Sequence, residues 1–443
     1  MSESYSIGGE AGLSASSPAD VLTALYWAGV EAAAPGPALA AALQKDAPSE
    51  GRVWIIALGK AAHPMAAAAA EYLNDLGTEP VGGLIVGPGV GPPLSHLTSF
   101  VGDHPLPGPG SLAAAAAIGD LAEQTQAGDV AWVLLSGGAT SLVAAPIEAI
   151  TPQDLVALYE ALLTSGLDIT QMNTVRKRFS RWGAGRLALA LQPAHMRTFI
   201  VSDVIGDDIA SIGSGPCVAD ESSAHDVRVL LEKAGLWTRV PRGVRDHLSA
   251  VERDPSLETP KGGHPALVDV DNRVVVGNRL MLEAVAECAR GLGLQPTLYS
   301  EPLAGEAAAA GEMVAQTLLG NRATGACLIW GGETVVRIEG AGGLGGRCQE
   351  LALAAARRLA ESSGGSATIL AAGTDGRDGP TDAAGAIIDA STWKAGRDHG
   401  RDPGQDLATH DSYAALNAAG ALFRTGPTGT NVMDLVVGVN SYP

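Results

Sequence analysis

Short apolar runs that stop at a glycine and hand over to alanine-rich helical stretches recur along this chain, and that alternation restricts its fold more than any other feature. Val53-Trp-Ile-Ile-Ala-Leu58 reads as a buried strand, and Gly59 to Leu73 follows as a helix. Val81 to Val86, Val130 to Leu135 and Met196 to Ser202 repeat the strand pattern. Further on, Val274 to Val276, Pro296 to Ser300, Cys327 to Glu333, Val335 to Glu339 and Ala367 to Ala372 read the same way, with a last strand from Leu435. Strands alternating with helices predict parallel α/β layers. A length of 443 residues suits two such domains. Residues 1–17 read as a flexible polar leader, 18–265 as a first domain and 266–443 as a second, with the polar stretch Glu252–Pro265 as linker.

Composition narrows the function. With 29 basic and 48 acidic residues the formal net charge is −19, which argues against nucleic acid or an anionic membrane as the main partner. An anionic substrate would need cations gathered locally. Cys217, Cys288, Cys327 and Cys348 are scattered, without metal-ligand spacing or a disulfide framework, which fits a reducing cytoplasm. No apolar run is long enough to span a bilayer, and the N-terminus has no signal pattern.

The loops after the strands carry the chemistry. Gly59-Lys60 leaves a helix start beside an ammonium, a natural anion site, although a surface lysine at a helix start reads equally simply. Ser136-Gly-Gly-Ala-Thr-Ser141 offers N–H and O–H donors able to wrap an anion. His104, in Gly102-Asp-His-Pro, reads as a structural turn residue. Asn173 to Arg186 holds five cations and no acid, opposing the global charge. Asp203, Asp207 and Asp208 follow another strand. Gly340, Gly342 and Gly345 match the dinucleotide fingerprint only formally, and Arg347 beyond them suits a phosphate better than a nicotinamide. Asp375, Asp378 and Asp382 lie within eight residues, among glycines and a proline that forbid helix, so they sit on a loop where α/β sheets place ligands. No Gly-x-Ser-x-Gly elbow, His-Glu-x-x-His or Cys-x-x-Cys is present.

Taken in order, these pieces resemble the class II glycerate kinases, the glycerate 2-kinase family whose C-terminal part is called the MOFRL domain. The matching blocks include Gly59-Lys-Ala61, Asn173-Thr-Val-Arg-Lys177, Ser202-Asp-Val-Ile-Gly-Asp-Asp208, Gly331-Gly-Glu-Thr334, Gly345-Gly-Arg-Cys-Gln-Glu350, Ala372-Gly-Thr-Asp-Gly-Arg-Asp-Gly-Pro-Thr-Asp382 and Gly426-Pro-Thr-Gly-Thr-Asn431. Cys348 departs from the family's usual asparagine, and Ala139-Thr-Ser141 from a more glycine-rich turn. The resemblance implies ATP-dependent phosphorylation of D-glycerate at its C2 hydroxyl, with Mg²⁺ or another divalent cation. It further implies two Rossmann-like α/β domains with mainly parallel sheets and an inter-domain active-site cleft; a homodimer is compatible with the sequence. Lys60 and Arg347 are the positions matching proposed active-site residues. With Asp203 they form the expected catalytic set. Ser136, Gly137, Gly138, Asn173, Arg176, Gly332, Glu333 and Asn431 are expected to bind substrate or nucleotide, and Asp375 and Asp378 the metal. Which aspartate binds metal and which accepts the hydroxyl proton stays open. The rival class is an NAD(P)H-dependent hydroxypyruvate reductase; a third reading is a non-catalytic binding protein, against which the key charges stand.

Overall fold

The computed structural model describes residues 17–45, 51–321, 323–338, 340, 342–362 and 367–440. The expected leader lies, except for Ser17, outside them. Ser17 with Asp20 forms a capping box on the helix Pro18–Ala32. The chain divides into two compact units. One is Ala34–Gly277; the other joins the described residues up to Ala33 to those from Asn278 onward.

In the unit Ala34–Gly277, six strands form one sheet: β1 (Val53–Leu58), β2 (Gly82–Gly87), β3 (Leu97–Val101), β4 (Val130–Leu135), β5 (His195–Val201) and β6 (Asp271–Val276). Their spatial order is β3-β2-β1-β4-β5-β6, and every pair is parallel. Every residue of β1 and of β4 is buried, as continuous apolar runs in a sheet covered on both faces require. The strand order reverses between β1 and β4, where doubly wound sheets open a crevice at their carboxyl ends. A separate apolar cluster, including Leu158, Tyr159, Phe179, Val244 and Leu248, forms among the helices Pro152–Leu163, Ile169–Phe179 and Arg242–Arg253. Thr151 and Asp154 close a capping box at the first of these, with Pro152 at its start.

The expected boundary at 265 falls elsewhere in the structure, which breaks between Gly277 and Asn278. β6 joins the first sheet by pairing with β5. The stretch read as a linker is bonded into the same unit: Glu258 accepts the Ala224 amide at 2.7 Å and an Arg178 nitrogen at 2.8 Å. Its polarity serves buried charges, which composition cannot distinguish from solvation.

In the other unit the strands are β7 (Gln295–Leu298), β8 (Ala326–Gly332), β9 (Ala367–Gly373), β10 (Gly385–Asp389), β11 (Leu422–Phe423) and β12 (Asp434–Asn440). They run β11-β10-β9-β12-β8-β7. Only the β7–β8 pairing is parallel; β12 lies antiparallel between β8 and β9, and β10 and β11 are antiparallel too. The parallel sheet expected here is therefore a mixed one. The expected strand Val335–Glu339 also fails: Val335 makes one isolated bridge to Glu306, and Glu339 lies outside the described residues. Helix Pro18–Ala32 belongs to this unit, where Tyr26 donates its hydroxyl to the Gly373 carbonyl at 2.9 Å.

Candidate active site

In the first sheet, the loops leaving β1 and β4 at the order reversal touch. The Lys60 amide donates to the Gly137 carbonyl at 2.9 Å, and the Ala61 amide to Ser136 Oγ at 2.9 Å. Gly59 has φ +119, and a Cβ there would meet Ser136 Oγ at 2.3 Å, so this close approach needs glycine. Gly137 is constrained from the next strand: a Cβ would fall 1.8 Å from Asp203 Oδ2. The half-buried Asp203 carboxylate, just past β5, thus lies against the Ser136–Gly138 turn. Lys60 is exposed and its methylenes pass over Gly138. Lys60, Ser136, Gly137, Gly138 and Asp203 come together as one constellation.

The basic run after Asn173 separates into parts. Lys177 pairs with the fully buried Asp220 at 2.8 Å. Arg178 bonds Glu258 at 2.8 Å and lies 3.5 Å from Asp220. Arg186 donates to the carbonyls of Lys177, Arg178, Ser180 and Gly183, where the helix Ile169–Phe179 ends; burial, then the neighbouring Arg178, pushes it down to about 10. Those three hold the fold. Arg181 lies over the Trp182 ring. Arg176, one turn beyond Asn173 on the same helix, lies over the Tyr159 ring, 4.8 Å from its centroid. His104, read from sequence as a turn residue, belongs to this neighbourhood. Burial first, then the charges of Lys60 and Arg176, hold its imidazole below the usual histidine range. Its sequence signal was only its place in the loop that follows β3.

The other unit builds a second constellation at the helix Arg347–Ala360. Arg347 forms two bonds to Asp434, at 2.6 and 2.8 Å, and a third contact to Glu333 at 3.0 Å. Glu333 is the exposed residue after Gly332, which ends β8. Asp434 begins β12 and is buried, which pushes its carboxyl up against the pull of Arg347. Sequence reasoning did not single it out, although an acid closing a Gly/Thr loop at a strand start was the available signal.

Asp378, expected as a metal ligand, meets a helix start in the structure. Its oxygens accept the Cys348 and Gln349 amides at 3.1 and 2.8 Å, capping the helix that Arg347 opens. Burial, opposed by those amides, pushes its carboxyl up to about 6. Asp375 accepts the Arg377 amide at 2.9 Å in a local turn, and Asn431 likewise accepts the Met433 amide at 3.2 Å. Among the described residues no three His, Cys, Asp or Glu side chains gather as metal ligands. Cys348 is buried and its thiol is pushed well up by burial, so it is no nucleophile.

A doubly wound sheet with lysine and glycine turns at its switch point places these residues where α/β enzymes of this class bind ligands. Comparison with known proteins gives the family. Residues 21–249 match the family described as a domain of unknown function, DUF4147, and 326–434 match the MOFRL family. The chain is 37% identical over 401 residues to the glycerate 2-kinase of Pyrococcus horikoshii, covering 89% of each. It is 38% identical over 395 residues to the D-glycerate 2-kinase of Thermotoga maritima, covering 88% of this chain and 90% of that one. The crystal structure of the Thermotoga maritima glycerate kinase superposes with a TM-score of 0.85 at 36% identity, covering 95% of this chain and 99% of that one. The chain belongs to the MOFRL-containing glycerate 2-kinase family of enzymes.

Proposed function

We propose that this protein transfers the γ-phosphoryl group of ATP to the C2 hydroxyl of D-glycerate, giving 2-phosphoglycerate and ADP. The observation that carries the reading is the joining of Lys60, Ser136–Gly138 and Asp203 at the carboxyl ends of β1, β4 and β5. In this reaction a bond forms from the C2 oxygen to the γ-phosphorus. The bond from that phosphorus to the β–γ bridging oxygen breaks, and the hydroxyl loses its proton. Such a transition state needs charge stabilisation and alignment more than covalent help. We assign Lys60 and Arg347 to the phosphoryl charge and Asp203 to the hydroxyl proton. Ser136, Gly137, Gly138 and Asn173 are assigned to donor contacts, with Gly332, Glu333 and Asn431 as further binding positions. A divalent cation would enter as the ATP complex and neutralise phosphate charge.

The same reading takes the enzyme as cytoplasmic and compatible with a homodimer. Four free cysteines, three of them buried, suit a reducing compartment, and no described helix is long and apolar enough to cross a membrane. Relatives bearing a provisional hydroxypyruvate reductase name exist at 36% identity. Among the described residues, those from 333 to 338 that lead into the glycine fingerprint form no strand, which such a reductase would need. One incubation with D-glycerate, ATP and Mg²⁺ tests the reading, the product being identified as the 2- or 3-phosphate. NADH oxidation with hydroxypyruvate, without any phosphorylated product, overturns it.

A further inference from the structure

Arg176 is a buried cation that the protein does not neutralise. It is 8% exposed, and among the described residues no carboxylate pairs with it. Its Nε has no acceptor. Its neighbours in the sequence are treated otherwise: Lys177 and Arg178 have acids, and Arg186 has a ring of carbonyls. A desolvated guanidinium without an anion is costly, and evolution ordinarily removes or pairs it. What faces Arg176 instead is the ring of Tyr159, itself fully buried, with a hydroxyl that also lacks a partner. An aromatic face attracts the cation through its quadrupole, holds it still, and leaves the hydrogen-bonding edge of the guanidinium uncommitted. A carboxylate there would have locked that edge permanently.

Resting on the kinase reading above, we propose that Tyr159 is a positioning residue that keeps Arg176 in reserve for the carboxylate of the acceptor substrate. The pair would then decide that a hydroxy acid is phosphorylated and a neutral polyol is not. Arg176 is placed for this: the loop carrying His104 is tied to the Ser136–Ser141 turn, where Ser141 donates to the Pro105 carbonyl at 2.9 Å, and His104 lies within electrostatic reach of both Arg176 and Lys60. The substrate anion completes an ion pair that the apo protein leaves open. An acceptor without a carboxylate would leave the buried charge unpaid, which is the stronger half of the discrimination.

The test is steady-state kinetics on Tyr159→Leu, Tyr159→Phe and Arg176→Gln, with D-glycerate and glycerol as alternative acceptors and ATP varied separately. Tyr159→Leu should raise KM for D-glycerate about tenfold, the scale of a desolvated cation–π contact, with KM for ATP within about twofold. Tyr159→Phe should behave as wild type, because the ring face suffices and the hydroxyl has no partner to lose. Arg176→Gln should raise KM for D-glycerate further and narrow the preference over glycerol. An unchanged KM for D-glycerate in folded Tyr159→Leu overturns the proposal, as does a rise in KM for ATP instead. If thermal unfolding shows that Tyr159→Leu is not folded, Arg176→Gln decides: unaltered D-glycerate kinetics overturn it. Wild-type protein that phosphorylates no D-glycerate removes the underlying kinase reading and this assignment with it. That outcome differs from an active wild type whose variants are indifferent.

Discussion

Arg347 and Asp434 meet through two parallel hydrogen bonds, Nε to Oδ2 at 2.6 Å and a terminal nitrogen to Oδ1 at 2.8 Å. The acid side chain is 6% exposed and the arginine 32%, so the pair fixes a cation whose outer edge still reaches solvent. Planar two-point pairing is a guanidinium property. Arg347→Lys should therefore keep the fold but lower kcat, since an ammonium cannot hold that orientation. Arg347→Ala strands a buried carboxylate and should cost about 3 kcal/mol in urea unfolding. Equal kinetics in Arg347→Lys and wild type would reduce Arg347 to a structural residue.

Lys60 offers a cleaner separation of activity from stability. Its side chain is exposed and no hydrogen bond from its ammonium supports the described fold; only its amide does. Lys60→Ala should lower kcat by roughly two to three orders of magnitude, the usual effect of removing one electrostatic donor from a transition state. Its urea midpoint should stay at the wild-type value. A fully active variant would return Lys60 to being a surface side chain.

Asp378 should leave a signature in the pH dependence of stability. Its carboxyl is raised to about 6 in the folded chain, from an ordinary value of 3.8. Between those values the native state holds a proton that the unfolded state has released, so acid favours the native state through this group. The contribution is complete below about pH 4 and is lost as pH rises through about 6, up to about 3 kcal/mol in all. Unfolding free energies of wild type and Asp378→Asn, subtracted pH by pH, should fall across that window. A flat difference would show that the carboxyl titrates normally. Mg²⁺ dependence of activity should be unchanged in Asp378→Asn, because both oxygens serve the helix amides.

Asp220 separates the structural part of the basic run from the part left free. It takes Lys177 at 2.8 Å, Ser222 Oγ at 2.7 Å and Thr259 Oγ1 at 2.9 Å, with Arg178 at 3.5 Å. Asp220→Ala should destabilise the protein by about 3–5 kcal/mol, measured by urea unfolding, because it abandons two buried cations. A loss below about 1 kcal/mol would mean that Glu258 alone can carry Arg178.

Much of the first sheet was legible in the sequence, because parallel strands buried on both faces are unbroken apolar runs and their loops carry the glycines. The turns at Gly59, Ser136 and Asp203 were found for that reason. The second sheet was misread because Leu435-Val-Val would look the same in either direction; nothing local records that β12 enters antiparallel between β8 and β9. Partner choice was equally hidden. Asp378 and Asp375 are both loop acids beside glycines, and only the distant Cys348 and Gln349 amides make one of them a helix cap. The five cations after Asn173 were visible as a group. Their division into paired and unpaired members depends on Asp220 and Glu258, more than thirty positions downstream.

The helix Pro18–Ala32 lies with β9 and β12 in the unit that otherwise begins at Asn278. A ribosome therefore makes this helix well before the strands it packs on, with residues 34–277 in between. Residues 34–277, contiguous in the chain, can collapse on their own sheet while the remainder is still being made. Meanwhile the apolar face carrying Leu22, Leu25 and Tyr26 waits without its partners. Vectorial synthesis thus assigns the two units different folding schedules.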